Sequence, residues 1–129
     1  MMYLCLDNSA PEAIILYHSA ADRHWISRRY PRDQYPVLLL AVASELRARQ
    51  ATREALGGLF VLVGQGGFSS TRAAVTVINT LGYAWQIPVG AVTTPPDAAT
   101  IARPTAQPLG QYVSARYSAP PRIGRSNSD

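Results

Sequence analysis

The sequence contains no lysine; all twelve of its positive side chains are arginine. This reads first as a bias of base composition. It reads second as a preference for bidentate anion contacts, which a guanidinium makes and an ammonium does not. Cysteine is almost as scarce. Cys5 stands alone inside an apolar run, so no internal disulfide can form, and a buried thiol in a reducing cytosol is expected. No apolar run approaches the roughly 18 residues of a membrane-spanning helix. The opening "MMYLCLDNSA" lacks a basic stretch and reaches an acid at Asp7, which is not the pattern of a signal peptide. The expectation is a cytoplasmic protein with no membrane contact. Acids are outnumbered eight to twelve, giving a net charge of +4, which permits an acidic partner. The arginines are spread along the chain, with a modest cluster at Arg28, Arg29 and Arg32, so the charge alone does not indicate nucleic-acid binding.

Histidine is also rare. His18 and His24 have no cysteine or carboxylate at metal-ligand spacing, and ordinary core or solvent histidines are expected. Ser9, His24 and Asp33 hold the letters of a hydrolytic triad, but no nucleophile-elbow motif accompanies them. No metal, cofactor or catalytic residue is assigned.

What is present is one domain's worth of globular chain: 129 residues, 47% hydrophobic and 16% charged. "MYLCLD" (2–7), "EAIILYH" (12–18) and "RHWISRR" (23–29) are strand-like runs. Turns at 8–11 and 19–22 make them an antiparallel meander. In the third run Trp25 and Ser27 fall opposite His24 and Ile26, as in an outer strand with one wet face. The period then changes. Leu38, Leu39, Val42 and Leu46 lie on an amphipathic stripe within 32–56, with Pro36 in the first turn and Gly57-Gly58 near the end. "LFVLV" (59–63) is a fully apolar central strand. The loop 64–69 feeds a second helix, about 70–85, with Ala74, Val77, Ile78, Leu81 and Trp85 on one stripe. Pro88 introduces a last strand, "VGAV" (89–92). Six of the ten prolines lie between 95 and 121. There "TPPDAATIA" (94–102) suits a short helix and 103–129 an extended tail with a disordered end. In the tail, "ARYSAPPRIG" (115–124) suits a polyproline-type recognition segment or a plain unstructured end. The order β-β-β-α-β-α-β is the plan of a ribonuclease-H-like half-domain, an α/β fold with a mixed sheet. The domain is expected over 1–102 and the tail over 103–129.

The stretch "GQGGFSSTR" (64–72) lies between the central strand and the second helix. Ser69 stands where a dinucleotide fingerprint needs glycine, and the P-loop lysine has no counterpart, so both motifs are excluded. Gly64, Gly66 and Gly67 permit a close backbone turn, Ser69 or Ser70 can cap the helix, and Phe68 can anchor the loop in the core. Two readings stand: a tight strand-to-helix turn, or a loop that holds an anion.

This segment, continued to Val92, resembles the TsaB (YeaZ) family. Gly64, Gly66, Phe68 and Arg72 match its G-P-G-S-F-T-G-L-R pattern in register, and Ile87-Pro88-Val89 matches its I-P-V. "LCLDNSA" is similar to the family's L-x-I-D-T-S-T, through Asp7 and Ser9, and "YPVLLLAVASEL" (35–46) to its first helix. Gln65, Gly67, Ser70 and Thr71 depart from the pattern. The resemblance covers about residues 2–92. It implies the actin-like ATPase superfamily, and a non-catalytic subunit that docks on a TsaD-type catalytic partner to support formation of N6-threonylcarbamoyladenosine at position 37 of tRNA. A TsaE-type ATPase would join a larger complex, tRNA would be contacted indirectly, and a homodimer could form when the partner is absent. The docking surface would be the helix pair, 33–53 and 70–85, through Leu38, Leu39, Val42, Leu46, Arg72, Ala74, Val77, Ile78 and Leu81. Asp7, Gly64, Gly66, Gly67 and Ser69 would form a vestigial phosphate loop. Longer members carry a second domain where this chain stops, so a short form is implied. Two other classes stay open: a minimal nucleotide-binding ATPase or phosphotransferase, and a diverged homodimer without a tRNA role.

Overall fold

The computed structural model describes residues 1–19, 24–96 and 112–113. Five strands and two helices follow in the order β1 (Met2–Asp7), β2 (Ala13–Ser19), β3 (Trp25–Pro31), α1 (Leu38–Ala48), β4 (Leu56–Leu62), α2 (Phe68–Trp85) and β5 (Val89–Val92). The sheet order is β3-β2-β1-β4-β5. β1, β2 and β3 pair antiparallel, whereas β1–β4 and β4–β5 pair parallel. The fold is thus an α/β domain with a mixed sheet, and the meander followed by two helical crossovers is the arrangement expected from the alternation of periods.

Both helices cover one sheet face. Leu4, Leu6, Ile14, Leu16, Leu59 and Val61 point to that side and pack with Ala41 and Val42 of α1 and Ala74 and Ile78 of α2. The odd-numbered partners in β1 face the other way, where Cys5 joins Trp25 and Phe60 with Tyr3, Tyr17 and Val92. Burial, then the nearby Asp7 charge, push the Cys5 thiol far up, which makes it inert as a nucleophile.

Three sequence expectations about element ends are corrected. α1 starts at Leu38 rather than 33, so Pro36 precedes the helix instead of lying in its first turn. It stops at Ala48, because Gln50 takes a left-handed conformation (φ 54°). The bonds Ala51 N–H to Leu46 C=O (2.9 Å) and Gln50 N–H to Arg47 C=O (3.0 Å) then close a Schellman motif. Gly57 and Gly58 do not end the helix; they begin β4 after a short 3-10 turn, Arg53–Ala55. A side chain at Gly58 would press on the rings of Tyr3 and Phe60, both at 3.1 Å. β3 lies two residues later than read from the sequence.

Val113 is buried in the main core although it lies past the boundary expected after residue 102. Asn79 of α2 holds its backbone twice: Val113 N–H donates to Asn79 Oδ1, and Asn79 Nδ2 donates to Val113 C=O, each at 2.9 Å. Of the short helix expected at 94–102, residues 94–96 are described and are not helical; residues 97–102, the segment 115–124 and the rest of the tail apart from 112–113 lie outside the described residues. Among the described residues, no helix is long and apolar enough to cross a membrane.

Candidate functional site

β1 ends at Asp7, which is 4% exposed. Its Oδ1 accepts from the Ser9 N–H (2.8 Å) and the Ser9 hydroxyl (2.6 Å), closing a turn on itself. Asn8 then ties three elements together. Its Nδ2 donates to Ser70 C=O at 3.0 Å, and its Oδ1 accepts from Arg32 Nη2 at 2.7 Å. The same guanidinium nitrogen donates to Ala10 C=O at 2.7 Å. Arg32, read as part of a basic cluster, therefore serves as a staple between the β1–β2 turn and the end of β3.

The glycine-rich loop sits on this turn. Gly64 has φ +80°, a conformation that side chains rarely adopt. At Gly66 a Cβ would lie 3.1 Å from Ser9 Cα, so the loop backbone packs directly against the turn. Gln65, where the family pattern has proline, donates from Nε2 to Thr93 C=O at 2.9 Å, fastening the loop to the end of β5. The expected serine cap is not formed. α2 begins at Phe68 with Gly67 as its N-cap and no side-chain bond, because the helix starts two residues early and takes Ser69 and Ser70 into its first turn. The first-turn N–H groups of such a helix attract anions, but the Asp7 carboxylate is already bonded to Ser9. The Ser9 hydroxyl has that carboxylate for its partner and not a histidine, so no triad is assembled there. The expected anchoring by Phe68 concerns a side chain outside the described residues.

The helix pair divides the residues that the resemblance assigned to docking. Val42, Ala74, Ile78 and Leu81 face the sheet and belong to the domain's own core. This corrects their reading as outward-facing surface: they lie on the stripe that the crossover connections turn inward. Leu38, Leu46 and Val77 are half-buried at its margin, and Arg72 is exposed. Leu39 is 53% exposed, and beside it Val37 and Leu40 are exposed as well. Between α1 and α2 runs an apolar groove of about 320 Å³, lined by Leu39, Val42, Leu46, Leu81 and Trp85, with Arg47 at its rim. Leu40 is legible in hindsight, because three consecutive leucines on a helix stand about 100° apart and cannot all reach one sheet.

A buried polar cluster under α1 was missed from the sequence. Glu45 has no exposed surface. Its Oε2 lies 2.5 Å from His18 Nδ1 of β2, and its Oε1 accepts from the Tyr30 hydroxyl of β3, with Arg28 Nε at 3.9 Å. Burial opposes its charged form. The hydrogen bonds from His18 and Tyr30, then the charges of His18 and Arg49, outweigh that and hold the carboxyl below the usual carboxylate range. Burial, followed by the Glu45 hydrogen bond and charge, pushes the Tyr30 phenol up. The signal was parity: Glu45 follows Ala41 by four residues and Val42 by three, on the core stripe, and His18 continues the inward alternation of Ile14 and Leu16. The group is closed to solvent and braces α1 on the sheet.

No family model matches the chain, and no curated protein matches it. Solved structures do. YeaZ from Pseudomonas aeruginosa aligns with 29% identity and a TM-score of 0.59, over 70% of this chain and 43% of that one. A second structure, described as an uncharacterized protein with similarity to peptidase YEAZ from Pseudomonas aeruginosa, aligns with the same identity and TM-score, over 70% of this chain and 42% of its own. The chain thus spans less than half the length of either. The motif resemblance from Asp7 to Val92 and the three-dimensional likeness converge on one group, and the domain is YeaZ-like (TsaB-like) in sequence and in fold.

Proposed function

We propose that this chain is a non-catalytic TsaB-like subunit that docks through α1 and α2 on a TsaD-type catalytic protein, and so supports threonylcarbamoylation of tRNA. The observation that carries the reading is the apolar strip Val37, Leu39 and Leu40 beside the α1–α2 groove, exposed among the described residues. An exposed strip of this kind is stabilised by a partner surface. The nucleotide-binding alternative finds less support, since the Asp7 carboxylate is engaged by Ser9 and the loop packs on the turn at Gly66.

The test is co-purification with the TsaD-type protein of the same source, wild type beside Leu39→Arg, with the tRNA nucleoside scored by mass spectrometry. Leu39 is exposed enough for the variant to fold, which circular dichroism would check. Loss of the complex together with the modification is expected. An unaffected modification level, or no complex with the wild-type chain, overturns the reading and makes nucleotide binding by the chain the next measurement.

A further inference from the structure

α2 borders the groove toward α1 with Leu81 and Trp85. Tyr83 stands two residues from each of them, about 200° round the helix, and so belongs to the opposite flank. There Asn79, Thr80, Tyr83 and Tyr112 line a surface depression of about 400 Å³ that shares no described residue with the groove. Both rings are open to water, Tyr83 at 68% exposure and Tyr112 at 41%. Tyr112 is held in place through its neighbour: Val113 is buried in the core, and its backbone makes the two bonds with Asn79. The depression is thus walled by α2 on one side and by anchored backbone on the other, and its described lining carries no charge.

An uncharged, shallow site with two aromatic rings and two phenolic hydroxyls matches a polyproline segment. Pyrrolidine rings pack on aromatic faces, and the polyproline backbone leaves its carbonyls unpaired for hydroxyl donors. Proline also loses little freedom on being fixed. A segment of this chemistry starts at the site itself: residues 114–129 leave from Val113, and Pro120-Pro121 follow the spacer 114–119. That spacer has the length of a common connection, roughly 4–6 residues, and brings the prolines back to Tyr112. Ala119, which precedes proline, is biased to the extended backbone the site requires. A tether this short sets a local concentration on the order of mM, so a contact too weak to hold a separate peptide is populated within the chain. A proline-rich segment of another molecule has no such advantage. We infer that the Tyr83–Tyr112 depression is a polyproline-recognition site and that the chain's own Pro120-Pro121 occupies it. The inference stands apart from the docking reading above.

The probe is trypsin, applied in limited digestion to the folded full chain and read by mass spectrometry. Cutting after Arg122, next to the prolines, is compared with cutting after Arg125, and a synthetic peptide of residues 114–129 gives the rates of an unbound tail. In the wild-type chain, cutting after Arg122 is expected to be slowed at least about fivefold against the peptide, with Arg125 affected less. Tyr83→Ala changes an exposed residue and leaves the cut sequence intact, so it should restore the peptide's rate. Pro120→Ala combined with Pro121→Ala should do the same against its own peptide. Circular dichroism checks the fold of each variant. A wild-type tail cut after Arg122 as fast as the peptide overturns the inference, including the case in which the depression serves another protein's segment. Protection that survives Tyr83→Ala overturns it by placing the tail elsewhere. Protection that rises with protein concentration assigns the site to the tail of a second copy and overturns occupancy within the chain.

Discussion

A carboxylate taken wholly out of water, in a helix packed on a sheet, costs several kcal/mol unless its lone pairs are filled. Glu45 meets that condition through His18 and Tyr30, one from each of the neighbouring strands β2 and β3 beneath α1. Truncation to alanine would remove the charge but strand the Tyr30 hydroxyl and the His18 ring in the core. We expect Glu45→Ala to lower the unfolding free energy by about 3 kcal/mol, measured by urea denaturation at neutral pH. The pH dependence follows from the direction of the shift. The folded carboxyl sits below its ordinary value, so its contribution is fully present above the unfolded value of about 4.3. That contribution is lost as pH falls through the folded value. As pH falls below about 4.3 and through the folded value, Glu45→Gln should therefore lose less stability than the wild type, and parallel acid titrations of the two in that range would refute the assignment. None of the three residues was singled out from the sequence as a group. His18 and Glu45 fall on buried parities, whereas Tyr30 shares its strand face with the exposed Ile26 and Arg28, and neither spacing nor composition says which strand residue will meet a helix carboxylate across 15 or 27 positions.

The central elements were readable because their patterns are local. "LFVLV" is apolar throughout, as a strand covered on both faces must be, and the α2 stripe repeats at helical spacing. The ends were not readable, because they depend on single backbone conformations. At α1 the arginine-rich stretch after Leu46 has good helix propensity, so nothing local marks Gln50 as the residue that turns left-handed. A glycine there would satisfy the same Schellman bonds without the Cβ clash. Gln50→Gly should stabilise the domain by about 0.5–1 kcal/mol, read as a higher urea midpoint with an unchanged slope. Gly82 of α2 is the opposite case. A Cβ at that position would lie 2.4 Å from Val89 Cγ1 and 3.0 Å from the Ile87 carbonyl oxygen. Alanine gains about 1 kcal/mol in helix propensity over glycine, but overpacking against backbone costs about 1–3 kcal/mol. Gly82→Ala should be destabilising on balance, and a gain in stability would show that β5 can move away.

At the scale of the whole domain, the part least visible in the sequence is how its core is closed. The apolar order of strands and helices accounts for the sheet and for one layer above it, but α2 presents Asn79 on the flank of that layer. A polar residue on a helix flank reads as solvated, whereas here its amide matches the N–H and C=O of Val113 and draws that side chain into the core from 34 positions away. Burying a valine side chain is worth about 1.5–3 kcal/mol, and leaving a buried backbone pair unsatisfied costs about 1–3 kcal/mol. Each half of the contact should therefore register alone. Val113→Ala and Asn79→Ala are each expected to lower stability by about 1–2 kcal/mol. Because both act by loosening the same segment, the double variant should lose clearly less than the sum, by more than the roughly 0.5 kcal/mol seen for independent sites. Additive losses would mean that Val113 stays seated without Asn79. Losses under about 0.5 kcal/mol for both would mean that the sheet and its two helices close the core without the segment, and that the domain is complete near residue 96.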